Sequence, residues 1–241
     1  MTDLAWQAVV LVGLVTMLGA YVQAVVGLGL GLLGAPVIAL VEPSLVPVLT
    51  LWLALLISGL NLLGEHKHVD WRSTAWSLPA RVPGTVIGAW LVATFTEQQI
   101  GVALAVMVLL AVALSVHTVD VPVTPVTLAT AGLVAGATGT ATSIGGPPIA
   151  LLYQRTEPRV ARATMSVFFF VGVILSLVGL AVSGSLGREP SLLALALAPG
   201  VVVGYVVGRR TRGMVDQGVF RWAVLVVCTL SALALLARSF G

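Results

Sequence analysis

Two short stretches of small residues, hydroxyl groups and prolines interrupt otherwise apolar sequence. The first carries Gly27, Gly29, Gly31 and Gly34 ahead of Pro36, and the second carries Thr138, Thr140, Thr142 and Ser143 ahead of Gly145, Gly146, Pro147 and Pro148. Glycine leaves backbone N–H groups uncovered and hydroxyl groups donate hydrogen bonds, so both patterns favour contact with a negatively charged group. The glycines of both stretches, with Thr140, Thr142 and Ser143, are therefore candidate ligand-binding residues. The alternative is that small residues let membrane helices pack closely.

Three polar side chains in apolar surroundings are further candidates for ligand contact. Arg81 is a basic residue well inside an apolar segment, where charged groups are rare and usually functional. It either binds an anion or extends to the lipid headgroups. Gln23 and Asn61 either contact the ligand or form hydrogen bonds between helices, which are worth about 0.6 kcal/mol each. No Asp or Glu lies near the centre of an apolar segment, so no carboxylate proton relay is predicted.

The composition identifies the class of protein. Of the 241 residues, 59% are hydrophobic and 9% are charged, whereas about a quarter of the residues of a soluble domain are charged. The sequence therefore predicts an all-α polytopic membrane protein in contact with the lipid bilayer. The single cysteine, Cys228, excludes an internal disulfide and a cysteine-ligated metal cluster. We predict a small anionic substrate, no cofactor, no metal and no nucleic-acid partner; a homo-oligomer is compatible with the sequence.

The apolar segments define the candidate membrane crossings, each of which needs about 20 residues. Six uninterrupted segments are predicted at 45–63, 74–94, 98–117, 160–182, 191–209 and 218–237. Two further apolar stretches, 5–41 and 124–154, contain the glycine and proline clusters. The amino terminus has no basic region and no small-residue cleavage site, so we expect the first stretch to remain in the mature protein.

The two interrupted stretches resemble each other, and later segments do so as well. Sliding the sequence along itself aligns Gly27 with Gly139, Gly34 with Gly146 and Pro36 with Pro148. PGTVIG at 83–88 then matches PGVVVG at 199–204 in the same order. We interpret this as a tandem duplication with repeats at 1–120 and 121–241, the alternative being chance similarity between apolar segments. The glycines of the two PG motifs are predicted to pack helices together.

The basic residues predict how the repeats are oriented. Lys67 and Arg72 mark one loop, and arginines at other positions of the second repeat mark two more: Arg155, Arg159, Arg162, Arg209, Arg210 and Arg212. If all these loops face the cytoplasm, the repeats have opposite orientation, each with three crossings and one hairpin that enters and returns. A non-helical hairpin tip is tolerated where protein or an aqueous cavity surrounds it. The legs of the first hairpin, at about 17 residues each, would nearly span the bilayer, so a count of ten membrane helices would also fit.

The paired motifs resemble those of the TauE/SafE family over nearly the whole chain. The similarity lies in the glycine-rich run ending at Pro36, in TSIGGPPIALL at 142–152, in the arginine-containing stretch 159–164 and in the PG-containing helices. The resemblance implies export of small sulfur-containing anions, such as sulfite or organosulfonates, across the bacterial inner membrane. It also implies that the glycine-rich tips form the substrate region. The first tip reads GLGLGLLGAP in place of a compact GGG cluster.

The expected mechanism is alternating access, with the anion held between the two tips. A membrane potential that is negative inside favours outward movement of a monoanion by about 2.3 kcal/mol per 100 mV, so export needs no coupling ion. The alternatives are a transporter of another small solute and a structural membrane subunit. A cation carrier would need carboxylates at the midplane, and an intramembrane enzyme would need clustered acidic or histidine residues or a nucleophile with a base. The apolar segments contain neither pattern.

Overall fold

The computed structural model describes residues 6–26, 30–65, 68–116, 121–215 and 217–240. These residues form ten α-helices: α1 (Trp6–Val26), α2 (Ala35–Val41), α3 (Val48–Glu65), α4 (Trp71–Thr94), α5 (Glu97–Val116), α6 (Pro125–Thr142), α7 (Gly146–Leu152), α8 (Pro158–Val182), α9 (Arg188–Thr211) and α10 (Gln217–Phe240). A π-helical turn (Leu30–Gly34) precedes α2, and a 3₁₀ turn (Pro43–Leu45) follows it. The described residues contain no β-strand, which confirms the all-helical class.

The long apolar helices make the chain a multi-pass membrane protein. Within the described residues, five helices are long and apolar enough to cross a membrane: α1, α5, α8, α9 and α10. The predicted crossings at 98–117, 160–182, 191–209 and 218–237 coincide with four of them. The apolar stretch of α3, Val48–Gly64, is shorter. The helix α4 has 24 residues and carries more polar side chains, so crossing by α3 and α4 stays a prediction.

The chain folds back on itself at both glycine and proline clusters. A Cβ atom built on Gly19 would lie 3.3 Å from the Leu30 Cα atom, and one built on Gly145 would lie 2.6 Å from the Ala135 carbonyl oxygen. In a continuous helix, residues about ten positions apart would be separated by about 15 Å. The two legs of each fold are unequal, because α1 has 21 residues and α6 has 18, while α2 and α7 have seven each. The expectation of two nearly spanning legs is therefore wrong for the second leg.

Glycines allow α4 and α6 to pack with their backbones in contact. A Cβ atom on Gly84 would lie 2.0 Å from the Leu133 carbonyl oxygen, and one on Gly88 would lie 2.5 Å from that of Ala137. From the other side, Gly132 and Gly136 of α6 approach the carbonyl oxygens of Ser77 and Arg81 in the same way. No other residue type fits at such a distance, which confirms the packing role predicted for the glycines of 83–88.

The helices α1 and α9 pack by the same device. A Cβ atom on Gly204 would lie 2.2 Å from the Met17 carbonyl oxygen, and one on Gly208 would lie 2.6 Å from that of Tyr21. Gly200 has nothing within 4 Å of its Cβ position. In their contacts, Gly84 and Gly88 thus correspond to Gly204 and Gly208. The alignment of PGTVIG with PGVVVG pairs Gly84 with Gly200 instead, so the pairing by contacts is shifted from it by four residues, about one helical turn.

Candidate functional site

The two tips touch each other within the helix bundle. A Cβ atom on Gly31 would lie 2.4 Å from the Ser143 carbonyl oxygen, so the first tip touches the backbone of the second. Beside this contact is a cavity of about 80 Å³, named here the central cavity. It is lined by Gln23, Gly31, Leu32, Leu51, Ala54, Ser58, Arg81, Ser115, Gly139, Ser143, Ile144, Gly145, Gly146, Pro147, Phe169 and Val173. A space of this size holds several water-sized groups, at roughly 10–15 Å³ each.

Arg81 brings a positive charge to this cavity. Its side chain is 1% exposed, so of the two predictions made for it, extension to the headgroups is wrong. The guanidinium carbon lies 4.6 Å from the centre of the Phe168 ring, an attractive cation–π arrangement. A Cβ atom on Gly172 would lie 2.0 Å from the same carbon, so the absence of a side chain there makes room for the guanidinium.

The guanidinium of Arg81 is poorly satisfied by protein groups. Its Nη1 atom lies 3.5 Å from the Phe168 carbonyl oxygen, beyond the usual range of about 2.7–3.2 Å. Its Nε atom is buried and has no hydrogen-bond partner among the described residues. No acidic side chain is among the described residues that line the cavity. A buried cation in this state is costly unless an anion joins it.

The hydroxyl groups of the second tip hold the break together. The Ser143 residue has a left-handed backbone conformation (φ 63°), and its Oγ lies 2.6 Å from the Thr50 Oγ1 and donates to the Pro47 carbonyl oxygen at 3.1 Å. Thr140 Oγ1 lies 2.8 Å from the Ser176 hydroxyl, and Thr142 Oγ1 donates to the Thr138 carbonyl oxygen at 2.7 Å. Ser143 lines the central cavity, whereas Thr140 and Thr142 do not.

The predicted glycines of the first tip fall in different places. Gly31 lines the cavity, while Gly34 precedes α2 and does not line it. Gly27 and Gly29 lie outside the described residues. In the second tip, both Gly145 and Gly146 line the cavity.

The short helices at the tips supply few backbone donors. Both α2 and α7 have seven residues and carry proline at their first positions, and proline has no N–H group. These helices therefore offer an anion few uncovered backbone N–H groups. The charge at the tips comes from Arg81 on α4.

The two predicted amides form hydrogen bonds through their oxygen atoms. Gln23 Oε1 accepts a hydrogen bond from the Leu30 backbone N–H at 3.0 Å, and Asn61 Oδ1 accepts one from the Tyr205 hydroxyl at 2.9 Å. Asn61 thus has the interhelical role considered as its alternative. Because both oxygens are used as acceptors, each amide presents its NH₂ group as donor. Gln23 lines the central cavity, and Asn61 does not.

A smaller space, the side cavity, adjoins the central cavity. It has a volume of about 30 Å³ and shares Gln23, Ser58 and Phe169 with the central cavity. The side cavity is also lined by Asn61, Arg162 and Arg212.

Two larger depressions lie at opposite ends of α5. The first, named the Arg221 vestibule, has a volume of about 460 Å³ and includes Ser115 and Pro147, which also line the central cavity. The second, named the Glu97 vestibule, has a volume of about 340 Å³ and shares no lining residue with the central cavity. The central cavity therefore adjoins one end of the bundle.

Sequence patterns did not indicate Ser58, Phe168 or Gly172 as parts of the site. A serine, a phenylalanine and a glycine within apolar helices look like ordinary packing residues. Their importance comes from the helix faces that meet around Arg81, which the sequence alone does not specify.

Comparison with known proteins identifies the family. The sequence model of the family described as Sulfite exporter TauE/SafE matches residues 11–235. No curated protein and no solved structure gave a significant match. The family match covers nearly all of the chain, so the chain belongs to the TauE/SafE family, whose description is that of a membrane anion exporter.

Proposed function

We propose that this member of the TauE/SafE family is a bacterial inner-membrane exporter of small sulfur-containing anions such as sulfite or organosulfonates. The anion is held in the central cavity, between the two tips. Two repeats, 1–120 and 121–241, lie in opposite orientation and move against each other to expose the cavity alternately. The observation that carries the proposal is the buried guanidinium of Arg81, which lines the cavity and has no acidic partner among the described residues.

The energetics of Arg81 favour an anionic substrate. A buried ion pair that loses one partner is destabilised by about 3–5 kcal/mol, because the remaining charge stays unpaired. The guanidinium of Arg81 has no acidic partner among the described residues that line the cavity, and an anion beside it would offset this cost. A cation or a neutral solute would not.

The packing supports a duplicated chain, because helices of each repeat pack against helices of the other. The first repeat's α4 packs on the second repeat's α6, and the second repeat's α9 packs on the first repeat's α1. Hydrogen bonds also join the two repeats. The Trp52 side chain donates to the Ser191 hydroxyl at 3.0 Å, and the Asp70 backbone N–H donates to Thr164 Oγ1 at 2.9 Å.

Contacts at both ends of the antiparallel helices α5 and α10 support the same proposal. The Gln98 side chain, at the start of α5, donates to the Ser239 carbonyl oxygen at the end of α10. The Arg221 side chain, near the start of α10, donates to the Ser115 carbonyl oxygen near the end of α5. Paired contacts of this kind are expected for inverted repeats related by a pseudo-two-fold axis.

The position of the central cavity suggests the side from which it loads. It adjoins the Arg221 vestibule, which faces the cytoplasm in the predicted orientation. An anion entering there would reach the central cavity past Ser115 and Pro147, which line both spaces. Movement of the repeats would then open the path toward the Glu97 vestibule, and the membrane potential would favour release outside.

Flux in proteoliposomes tests the proposal. Purified protein is reconstituted with internal sulfite, sulfoacetate, thiosulfate or chloride, and release is measured with a potassium diffusion potential of either sign. We expect sulfur-containing anions to leave faster than from vesicles that contain the anion but no protein. The rate should depend on the membrane potential. If no anion leaves faster than from protein-free vesicles, transport is rejected and a structural subunit is favoured.

Variants of the two arginines of α4 test the site. Arg81→Gln is expected to lower the rate by more than about 100-fold, since a loss of about 3 kcal/mol corresponds to two factors of ten. Arg72→Gln removes an exposed arginine from the first turn of the same helix and serves as the matched control, with a rate within about twofold of the parent. Equal rates in both variants would remove Arg81 from the site.

A further inference from the structure

We propose that the central cavity binds its substrate as a singly charged anion and discriminates against the doubly charged form of the same molecule. This inference rests on the anion transport proposed above and adds the charge state of the substrate. It follows from the number of charged side chains that line the cavity.

Arg81 is the source of charge within the cavity. Among the described lining residues it has the one titratable side chain, and it comes from α4. The other polar lining side chains are uncharged and come from α1, α3, α5 and the break after α6: Gln23, Ser58, Ser115 and Ser143. The wall formed by α8 contributes Phe169 and Val173, which are apolar.

The neighbouring charged groups lie at helix ends. Arg162, in the first turns of α8, and Arg212, directly after α9, border the side cavity. Arg221, near the start of α10, borders the vestibule, together with Tyr153 after α7. Asp70 precedes α4 on the same side of Arg81 as Arg72. Water and salt screen the charge of Arg221 in the wide vestibule. Arg162 and Arg212 are half-buried, do not line the central cavity, and each make an interaction of their own.

One guanidinium can neutralise one negative charge. A singly charged oxyanion in the cavity would lie beside the guanidinium of Arg81 and accept a hydrogen bond from the Gln23 amide group, and the pair would carry no net charge. A second negative charge on the anion would have no cation to meet it within the cavity. In a space that excludes bulk water, this unpaired charge disfavours binding of the dianion.

Sulfite separates the two charge states, because it exists as hydrogensulfite at low pH and as a dianion at high pH. We expect the flux at fixed total sulfite to fall about tenfold for each pH unit above the pKa of hydrogensulfite, as the singly charged fraction falls. Methanesulfonate, whose single charge does not change over this range, serves as the comparison anion and is expected to keep a constant rate. The pH is set equal on both sides of the vesicle membrane.

The charge moved with each sulfite provides a second measurement. Proteoliposomes containing valinomycin release potassium to balance the exported charge, so the ratio of potassium to sulfite counts the charges on the transported form. We expect one potassium per sulfite at every pH tested. This ratio needs no comparison anion and uses the unmodified protein.

The outcomes are distinct. A flux that follows hydrogensulfite, with one potassium per sulfite, supports the inference. A flux that rises or stays constant with pH, or a ratio of two, overturns it, while the proposed transport would stand if the Arg81→Gln variant remained inactive. No flux of any sulfur-containing anion would overturn both.

Discussion

Arg81 and Val201 lie in two similarly packed regions that differ in charge and surroundings. Gly84 of α4 and Gly204 of α9 meet backbone carbonyls in the same way, and Arg81 and Val201 each lie three residues earlier. Val201 is 0% exposed and belongs to an apolar core, whereas Arg81 is 1% exposed and lines a cavity. The same helix packing thus holds an apolar contact in one region and a buried cation in the other. We infer that the shared packing supplies the scaffold and that the difference between the two positions supplies the binding site.

Making the Arg81 region like the Val201 region should have the largest effect. In Arg81→Val, we expect transport to be lost, because the cavity no longer contains a cation. We also expect the unfolding temperature to change little, because removal of a buried unpaired charge is stabilising while the cavity left by the smaller side chain is destabilising.

Thermal unfolding in detergent and anion efflux, measured on one preparation, check both parts of this prediction. The variant Arg81→Lys keeps the charge without the planar group and should retain part of the activity. Lost stability in Arg81→Val together with normal efflux would show that Arg81 has a structural role.

The space for the guanidinium can be reduced without removing its charge. A Cβ atom on Gly172 would lie 2.0 Å from the Arg81 guanidinium carbon, so Gly172→Ala should displace the side chain and lower kcat/KM for efflux by about tenfold or more, mostly through KM. Gly200→Ala is the control, because its Cβ position has nothing within 4 Å. Similar kinetics in these two variants would contradict the role of Gly172 in positioning Arg81.

The shared scaffold should respond equally in the two regions. A Cβ atom on Gly84 or on Gly204 would lie 2.0 Å or 2.2 Å from a backbone carbonyl oxygen, and the backbone has to shift to admit it. We therefore expect Gly84→Ala and Gly204→Ala to destabilise the protein by similar amounts, about 1–3 kcal/mol. Denaturation in mixed micelles measures this, and a large effect in one variant with none in the other would argue against equivalent interfaces.

The amino-terminal caps of α4 and α9 differ, and this difference predicts a small effect on stability. The Asp70 carboxylate accepts hydrogen bonds from the backbone N–H groups of Arg72 and Ser73, whereas Gly187, which precedes α9, has no capping side chain. Asp70→Ala should therefore cost about 0.5–2 kcal/mol at neutral pH.

The same carboxylate predicts a pH dependence. The hydrogen bond from the Ser73 side chain lowers the pKa of Asp70 below its ordinary value of 3.8. A lowered pKa means that this contribution to stability is present above 3.8 and is lost as the pH falls through the pKa of the folded protein. The stability difference between the parent and Asp70→Ala, measured at a series of pH values, should shrink only in that acidic range.

The fold was largely predictable from local patterns. Apolar length specified the helices α5, α8, α9 and α10, and glycine with proline indicated the breaks that precede α2 and α7. The unequal legs were not predicted, because apolar composition continues through the break and does not show where the helix resumes. The role of Gly84 and Gly204 in packing followed from their spacing, but the partner helix of each did not.

The candidate site was predictable in part. Arg81 was recognisable because a charge within an apolar segment is rare, and Gly31, Ser143, Gly145 and Gly146 lie with it around the central cavity. Thr140 was chosen for its hydroxyl group, yet that group contacts Ser176 at 2.8 Å. A hydroxyl inside a helix can turn to a nearby helix or to its own backbone, and the sequence does not indicate which.

By itself the sequence determined that the chain is helical, resides in a membrane and is broken at two places, since these properties follow from hydropathy and from the backbone chemistry of glycine and proline. Only the tertiary structure decided that the two tips touch, that Arg81 points inward onto Gly172 and Phe168, and that Val201 does not repeat its role. The physical reason is that hydropathy and backbone preference act over a few residues. The partner that a side chain meets depends on how helices from distant parts of the chain pack together.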